Sequence, residues 1–69
     1  MMKKIKNLED LRKSKGISQK HVCDLMGFTR PTIKKKETRK SPVSIPEAVM
    51  FSNIYQTSID EIEKLCRLK

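Results

Sequence analysis

Apolar residues recur along this chain at intervals of three and four, and glycines and capping residues break the pattern at short spacings. Leu8 and Leu11 share one face of a segment running from about Leu8 to Lys15. Asn7 stands at its start, Glu9 and Asp10 fall in its first turn, and Gly16 closes it. Val22, Leu25 and Met26, with Cys23 beside them, mark a second segment that opens at Ser18 and ends at Gly27. A third begins after Thr29, carries Pro31 in its first turn and runs to about Thr38. Ser44-Ile45-Pro46-Glu47 and Ser58-Ile59-Asp60-Glu61 both have the spacing of a capping box, and each opens a further segment. Sustained period-two alternation is absent, as are Asn-Gly and Asp-Gly turns, so no strand is predicted. The pattern predicts an all-α fold of five short helices. Its core places Val22, Cys23, Leu25 and Ile33 against Leu8, Leu11, Phe51, Ile59 and Ile62.

The third segment differs from the rest. Ile33 is its one clear apolar anchor, and Arg30, Thr32, Lys34, Lys35 and Lys36 fill the remainder. A helix this polar does not hold by itself; neighbouring helices must carry it while most of its surface faces outward.

Charge says what that surface faces. Sixteen Lys and Arg stand against eight Asp and Glu, a net charge of +8 over 69 residues. The excess is local: residues 29–40 hold Arg30, Lys34, Lys35, Lys36, Arg39 and Lys40 against Glu37 alone. Residues 41–63 hold Glu47, Asp60, Glu61 and Glu63 and neither Lys nor Arg. A solvated basic surface kept for solubility gives the same total. The clustering instead points to a polyanion drawn to one face, nucleic acid before an anionic membrane or an acidic protein.

Catalysis and metal binding find no footing. Cys23, Cys66 and the single His21 do not make a four-ligand zinc set, and two reduced core thiols are expected. Ser18 and Ser44 read as caps, since no His/Asp partners accompany them as a nucleophile needs. No apolar run reaches the ~20 residues of a membrane span, and the start Met1-Met2-Lys3-Lys4-Ile5-Lys6 lacks the apolar stretch of a signal peptide. We expect a complete single-domain cytoplasmic protein over residues 1–69, with a basic arm at 1–6, no cofactor and no enzymatic activity.

A helix of about eight residues, the short turn Gly27-Phe28-Thr29 and a basic helix form the helix-turn-helix spacing, at about 18–38. The stretch from Ile17-Ser18-Gln19 through Leu25-Met26-Gly27-Phe28-Thr29 to Thr32-Ile33, continued by Glu37 and by Ser58-Ile59-Asp60-Glu61-Ile62, resembles a known family. It is similar to phage Cro proteins, phage repressor N-terminal domains and xenobiotic-response-element regulators, and the resemblance covers residues 5–65. It implies a lambda-repressor-like fold and a sequence-specific transcriptional regulator on a double-stranded DNA operator, with the helix at about 30–38 in the major groove.

Position by position, the resemblance implies base contacts from Arg30, Pro31, Thr32 and Lys35. It implies backbone contacts from Gln19, Thr29, Lys34, Lys20, His21, Arg39 and Lys40, and a partly buried ion pair between Arg12 and Glu37. The chain departs from the family at Lys36, where an apolar residue is usual, at Arg39, where a turn glycine is usual, and at His21, where a capping glutamate is usual. A homodimer on DNA is expected, with Met50, Ile54, Tyr55 and Leu68 as candidate contacts. The alternative is a protein-interaction module of the same fold, such as an antitoxin or an antirepressor, working through the acidic 41–63 stretch.

Overall fold

The structure is a computed structural model and describes residues 4–68. The expected basic arm lies partly outside the described residues; Lys4, Ile5 and Lys6 precede the first helix and are exposed. Five helices follow: α1 (Leu8–Ser14), α2 (Gln19–Met26), α3 (Arg30–Glu37), α4 (Ile45–Tyr55) and α5 (Ile59–Leu65). Among the described residues the only β pairing is a single parallel bridge between Val43 and Leu68.

The starts are set by side chains. Asn7, Ser18, Ser44 and Ser58 each accept from the backbone N–H three residues on, at 2.9, 3.1, 3.3 and 3.3 Å. Each bond satisfies one of the donors that a helix N-terminus leaves unpaired. The capping box closes in both directions at Ser44, where Glu47 accepts from the Ser44 N–H at 2.9 Å. At Ser58 only the serine half of the box is made. Thr29 occupies the cap position of α3 but gives no side-chain cap; its hydroxyl pairs with that of Thr32 at 3.0 Å.

Four of the five helix ends share one geometry, and α5 ends in extended backbone at Cys66. After α1, α2, α3 and α4 the chain passes through a left-handed residue: Gly16, Gly27, Arg39 and Gln56. The next N–H reaches back five residues in each case: Ile17 to Arg12, Phe28 to Cys23, Lys40 to Lys35 and Thr57 to Ser52. This is the Schellman closure, in which glycine carries no Cβ penalty. Arg39, at φ +66°, does carry one. Arg39→Gly is therefore expected to stabilise the domain by about 0.5–1 kcal/mol, the relief of left-handed strain less the added freedom of an unfolded glycine. A urea midpoint unchanged or lowered would contradict this.

The core gathers Leu8, Leu11, Val22, Cys23, Ile33, Val43, Ala48, Phe51, Tyr55, Ile62, Leu65 and Cys66, with α1 and α2 packed on α3 and α5 on α4. Ile59 packs at its edge. Leu25 corrects the expected core: it is 53% exposed, on the outer face of α2, while Val22, Cys23 and Met26 turn inward. Both cysteines are buried and free.

Tyr55 corrects the expected dimer contacts. It is fully buried, and its hydroxyl donates to Glu37 Oε2 at 2.6 Å. The same oxygen accepts from Arg12 Nε at 2.8 Å, and Arg12 Nη1 donates to the Ile17 carbonyl at 3.0 Å. Arg12, Glu37 and Tyr55 thus tie α1, α3, α4 and the α1–α2 turn at one buried point. Burial, then the hydrogen bond to Glu37 and its charge, push the Tyr55 phenol above its ordinary value, so it stays a donor.

Candidate nucleic-acid interface

Two residues of α3 are buried, Ile33 and Glu37. They stand four apart and so occupy one face, which leaves Pro31 and Lys35 on the opposite one. Gln19, Arg30, Pro31, Lys34, Lys35 and Lys40 line a single open depression of about 440 Å³. It joins the first turn of α2, the outer side of α3 and the loop that follows. The helix-turn-helix therefore brings six of the expected contact residues around one concave surface.

The remaining expected residues stand around it. Lys20 and His21 are exposed on α2, and Arg39 is exposed in the loop after α3. Thr29 is exposed, and Thr32 is half-buried with its hydroxyl bound to that of Thr29. Arg12 and Glu37 are buried behind the surface and hold α3 from within.

The cations of this surface are not equivalent. Lys34 pairs with Glu9 at 3.3 Å, and Lys20 pairs with Asp24 at 3.0 Å. Exposed pairs of this kind contribute little and give way to a stronger anion. Among the described residues Arg30, Lys35, Arg39 and Lys40 have no carboxylate partner. Arg30 is the first residue of α3, where side chains reach base edges when a helix enters the major groove. A guanidinium there presents the fork that matches guanine O6 and N7.

Lys36 plays no part in this surface. It turns inward, donating to Glu47 Oε1 and to the Pro42 carbonyl, both at 3.1 Å, and its ammonium lies 5.4 Å from the centre of the Phe28 ring. The lysine thus fills the apolar position along its stem and ties α3 to the turn before it and the helix after it. Sequence reasoning missed this partnership, although Glu47 in a capping box eleven residues on was its signal. Burial draws the Glu47 carboxyl upward. The Ser44 N–H, the Lys36 ammonium and the Ser44 hydroxyl outweigh it and hold the group below its ordinary 4.5. A depressed folded value stabilises above the unfolded value, and that contribution is lost as pH falls through the lower folded one. Resistance to urea is expected to decline as pH drops below 4.5, and Glu47→Gln to flatten part of the decline; an unaltered profile would count against the pairing.

Among the described residues no group of three or more His, Cys, Asp or Glu is placed to hold a metal ion, and no helix is long and apolar enough to cross a membrane. No curated protein and no solved structure matches the chain. A family model described as helix-turn-helix matches residues 8–62, from the first residue of α1 into α5. That family is one of DNA-binding regulatory domains and not typically enzymatic. On this match, which takes in α2, α3 and the surface they form, the chain belongs to the helix-turn-helix family of Cro/C1 type.

Proposed function

We propose that this protein is a sequence-specific transcriptional regulator of the Cro or repressor kind. It acts on duplex DNA in the cytoplasm, with the segment at about 18–38 as its reading element. The observation that carries this is the open surface of Gln19, Arg30, Pro31, Lys34, Lys35 and Lys40, whose Arg30, Lys35 and Lys40 have no carboxylate partner among the described residues. Lys34, Lys40, Arg39, Lys20, Gln19, Thr29 and His21 bind phosphates and set register. Arg30, Lys35, Thr32 and Pro31 face base edges, with Pro31 limited to apolar contact and Thr32 meeting a thymine methyl or a phosphate. Affinity then comes chiefly from phosphate neutralisation and is strongly salt-dependent.

The homodimer belongs to the same reading. Ile45, Val49 and Met50 are exposed on α4, inside the stretch that carries neither Lys nor Arg. Met50 stays a candidate contact and Ile45 and Val49 join it in place of Tyr55, while Ile54 and Leu68 pack partly buried against the core; the exposed three let two copies meet without opposing cations. Two modules so joined would read half-sites about one helical turn apart.

The test is selection from a randomised duplex library over a range of salt, with equilibrium sedimentation on the enriched duplex. An enriched site, a steep negative salt slope and two copies per duplex support the proposal. Binding without preference at any salt refutes sequence-specific reading, and a monomer at tens of micromolar with and without DNA refutes the dimer. Absence of DNA binding turns the assignment to the protein-interaction module.

A further inference from the structure

The loop between α3 and α4 is bonded almost entirely to its own neighbourhood. The N–H groups of Thr38, Arg39, Lys40 and Ser41 donate back to Lys34, Lys36, Lys35 and Lys35. The Ser44 N–H goes to Glu47, and the Pro42 carbonyl is taken by Lys36. One bond breaks the pattern. The Val43 N–H donates to the Arg67 carbonyl at 2.6 Å, within the parallel bridge between Val43 and Leu68. Val43 is fully buried, Cys66 is nearly so, and Leu68 packs against the same core. Local bonds fix the shape of the loop. The bridge is the backbone tie between that loop and the far end of the chain. Arg39 and Lys40 stand just ahead of it, exposed and without a carboxylate partner among the described residues.

We infer that the C-terminal segment Cys66–Leu68 is a positioning strap: by pairing with Val43 it holds the loop so that Arg39 and Lys40 meet DNA phosphates together. The inference rests on the DNA-binding reading above. Its physical basis is preorganisation. Two long cationic side chains on a loop of fixed position lose less freedom on binding than the same side chains on a loose one.

The experiment measures the salt slope of DNA binding for the full chain, since each phosphate neutralised contributes about 0.9 to the slope on duplex DNA. Val43→Pro removes the donated N–H and leaves every charge in place. It is expected to reduce the slope by up to about 1.8, the share of two phosphates, while the preferred duplex sequence stays the same. Arg39→Ala/Lys40→Ala is expected to lose the same amount, and adding Val43→Pro to it to lose nothing further. Non-additivity of that kind marks two changes acting through one contact set. Leu68→Ala, at the edge of the core, carries the same test should Val43→Pro fail to fold, and Leu68→Ile restores the wild-type slope.

A folded Val43→Pro or Leu68→Ala protein with the wild-type slope overturns the strap, as do losses that simply add. In those outcomes the wild type still selects its duplex, so the strap fails while the regulator stands. A wild type that binds no DNA at any salt overturns both.

Discussion

Arg12→Met is expected to leave about half of the protein unfolded at neutral pH and 25 °C, and further changes at Glu37 and Tyr55 to refold it. Glu37 is fully buried at the end of α3. Both of its bonds fall on Oε2, from Arg12 and Tyr55, while Oε1 has no partner among the described residues. Removing the guanidinium leaves a buried carboxylate with one neutral donor, and the Ile17 carbonyl loses its own. Breaking one partner of a buried pair costs about 3–5 kcal/mol. A domain of this size rarely draws more than ~3–5 kcal/mol from its core, so the loss consumes the margin. Replacing the whole set is a different matter, since apolar residues of similar volume are often neutral or stabilising there. Arg12→Met/Glu37→Leu/Tyr55→Phe is therefore expected to recover a cooperative urea transition. Far-ultraviolet circular dichroism against urea reads both. A single variant as stable as wild type, or a triple variant as unstable as the single, would contradict the account.

Arg30→Ala/Lys35→Ala is expected to abolish sequence preference while sparing the fold. Both side chains are exposed and lack carboxylate partners among the described residues, so their loss breaks no ion pair there. A good bidentate arginine–guanine contact discriminates by ~1–3 kcal/mol, roughly a factor of five to two hundred, and the base contact proposed for Lys35 would add to it from the same helix. The phosphate contacts proposed for Gln19, Lys34, Arg39 and Lys40 would stay in place. The double variant should bind unrelated duplexes with most of the wild-type affinity and a slightly smaller salt slope. Competition between the enriched and a scrambled duplex measures the ratio. A retained preference would place the reading residues elsewhere on the surface, with Gln19 the foremost candidate.

Much of the fold is written locally. Asn7, Ser18, Ser44 and Ser58 cap because a short polar side chain before an apolar run reaches the third amide on, and that arrangement needs no tertiary context. Gly16 and Gly27 stop helices for an equally local reason. The same habit explains the basic surface, since charge density along α3 is visible in the sequence itself. The failures concern what lies across the fold. Tyr55 reads as a surface aromatic until Glu37, eighteen residues away, supplies an acceptor for its hydroxyl inside the core. Leu25 reads as core because three-to-four spacing cannot tell the middle of an apolar stripe from its edge. Val43 stands in a loop with no periodic neighbours, and its burial depends on a tail more than twenty residues on. Lys36 stands beside Lys35 in a run of cations at a usually apolar position, and only the fold shows its ammonium turning in to Glu47.

Of the eight residues in α3, Ile33 and Glu37 are buried and Lys36 turns inward to Glu47 and the Phe28 ring. The other positions answer to whatever lies outside, and few of them support the fold. Lineages carrying this domain are thus free to exchange Arg30, Pro31, Thr32 and Lys35 one at a time without passing through an unfolded intermediate. A change of operator then becomes a short mutational walk, and divergence should concentrate on those positions while Ile33, Glu37 and their partners Arg12 and Tyr55 change together or not at all.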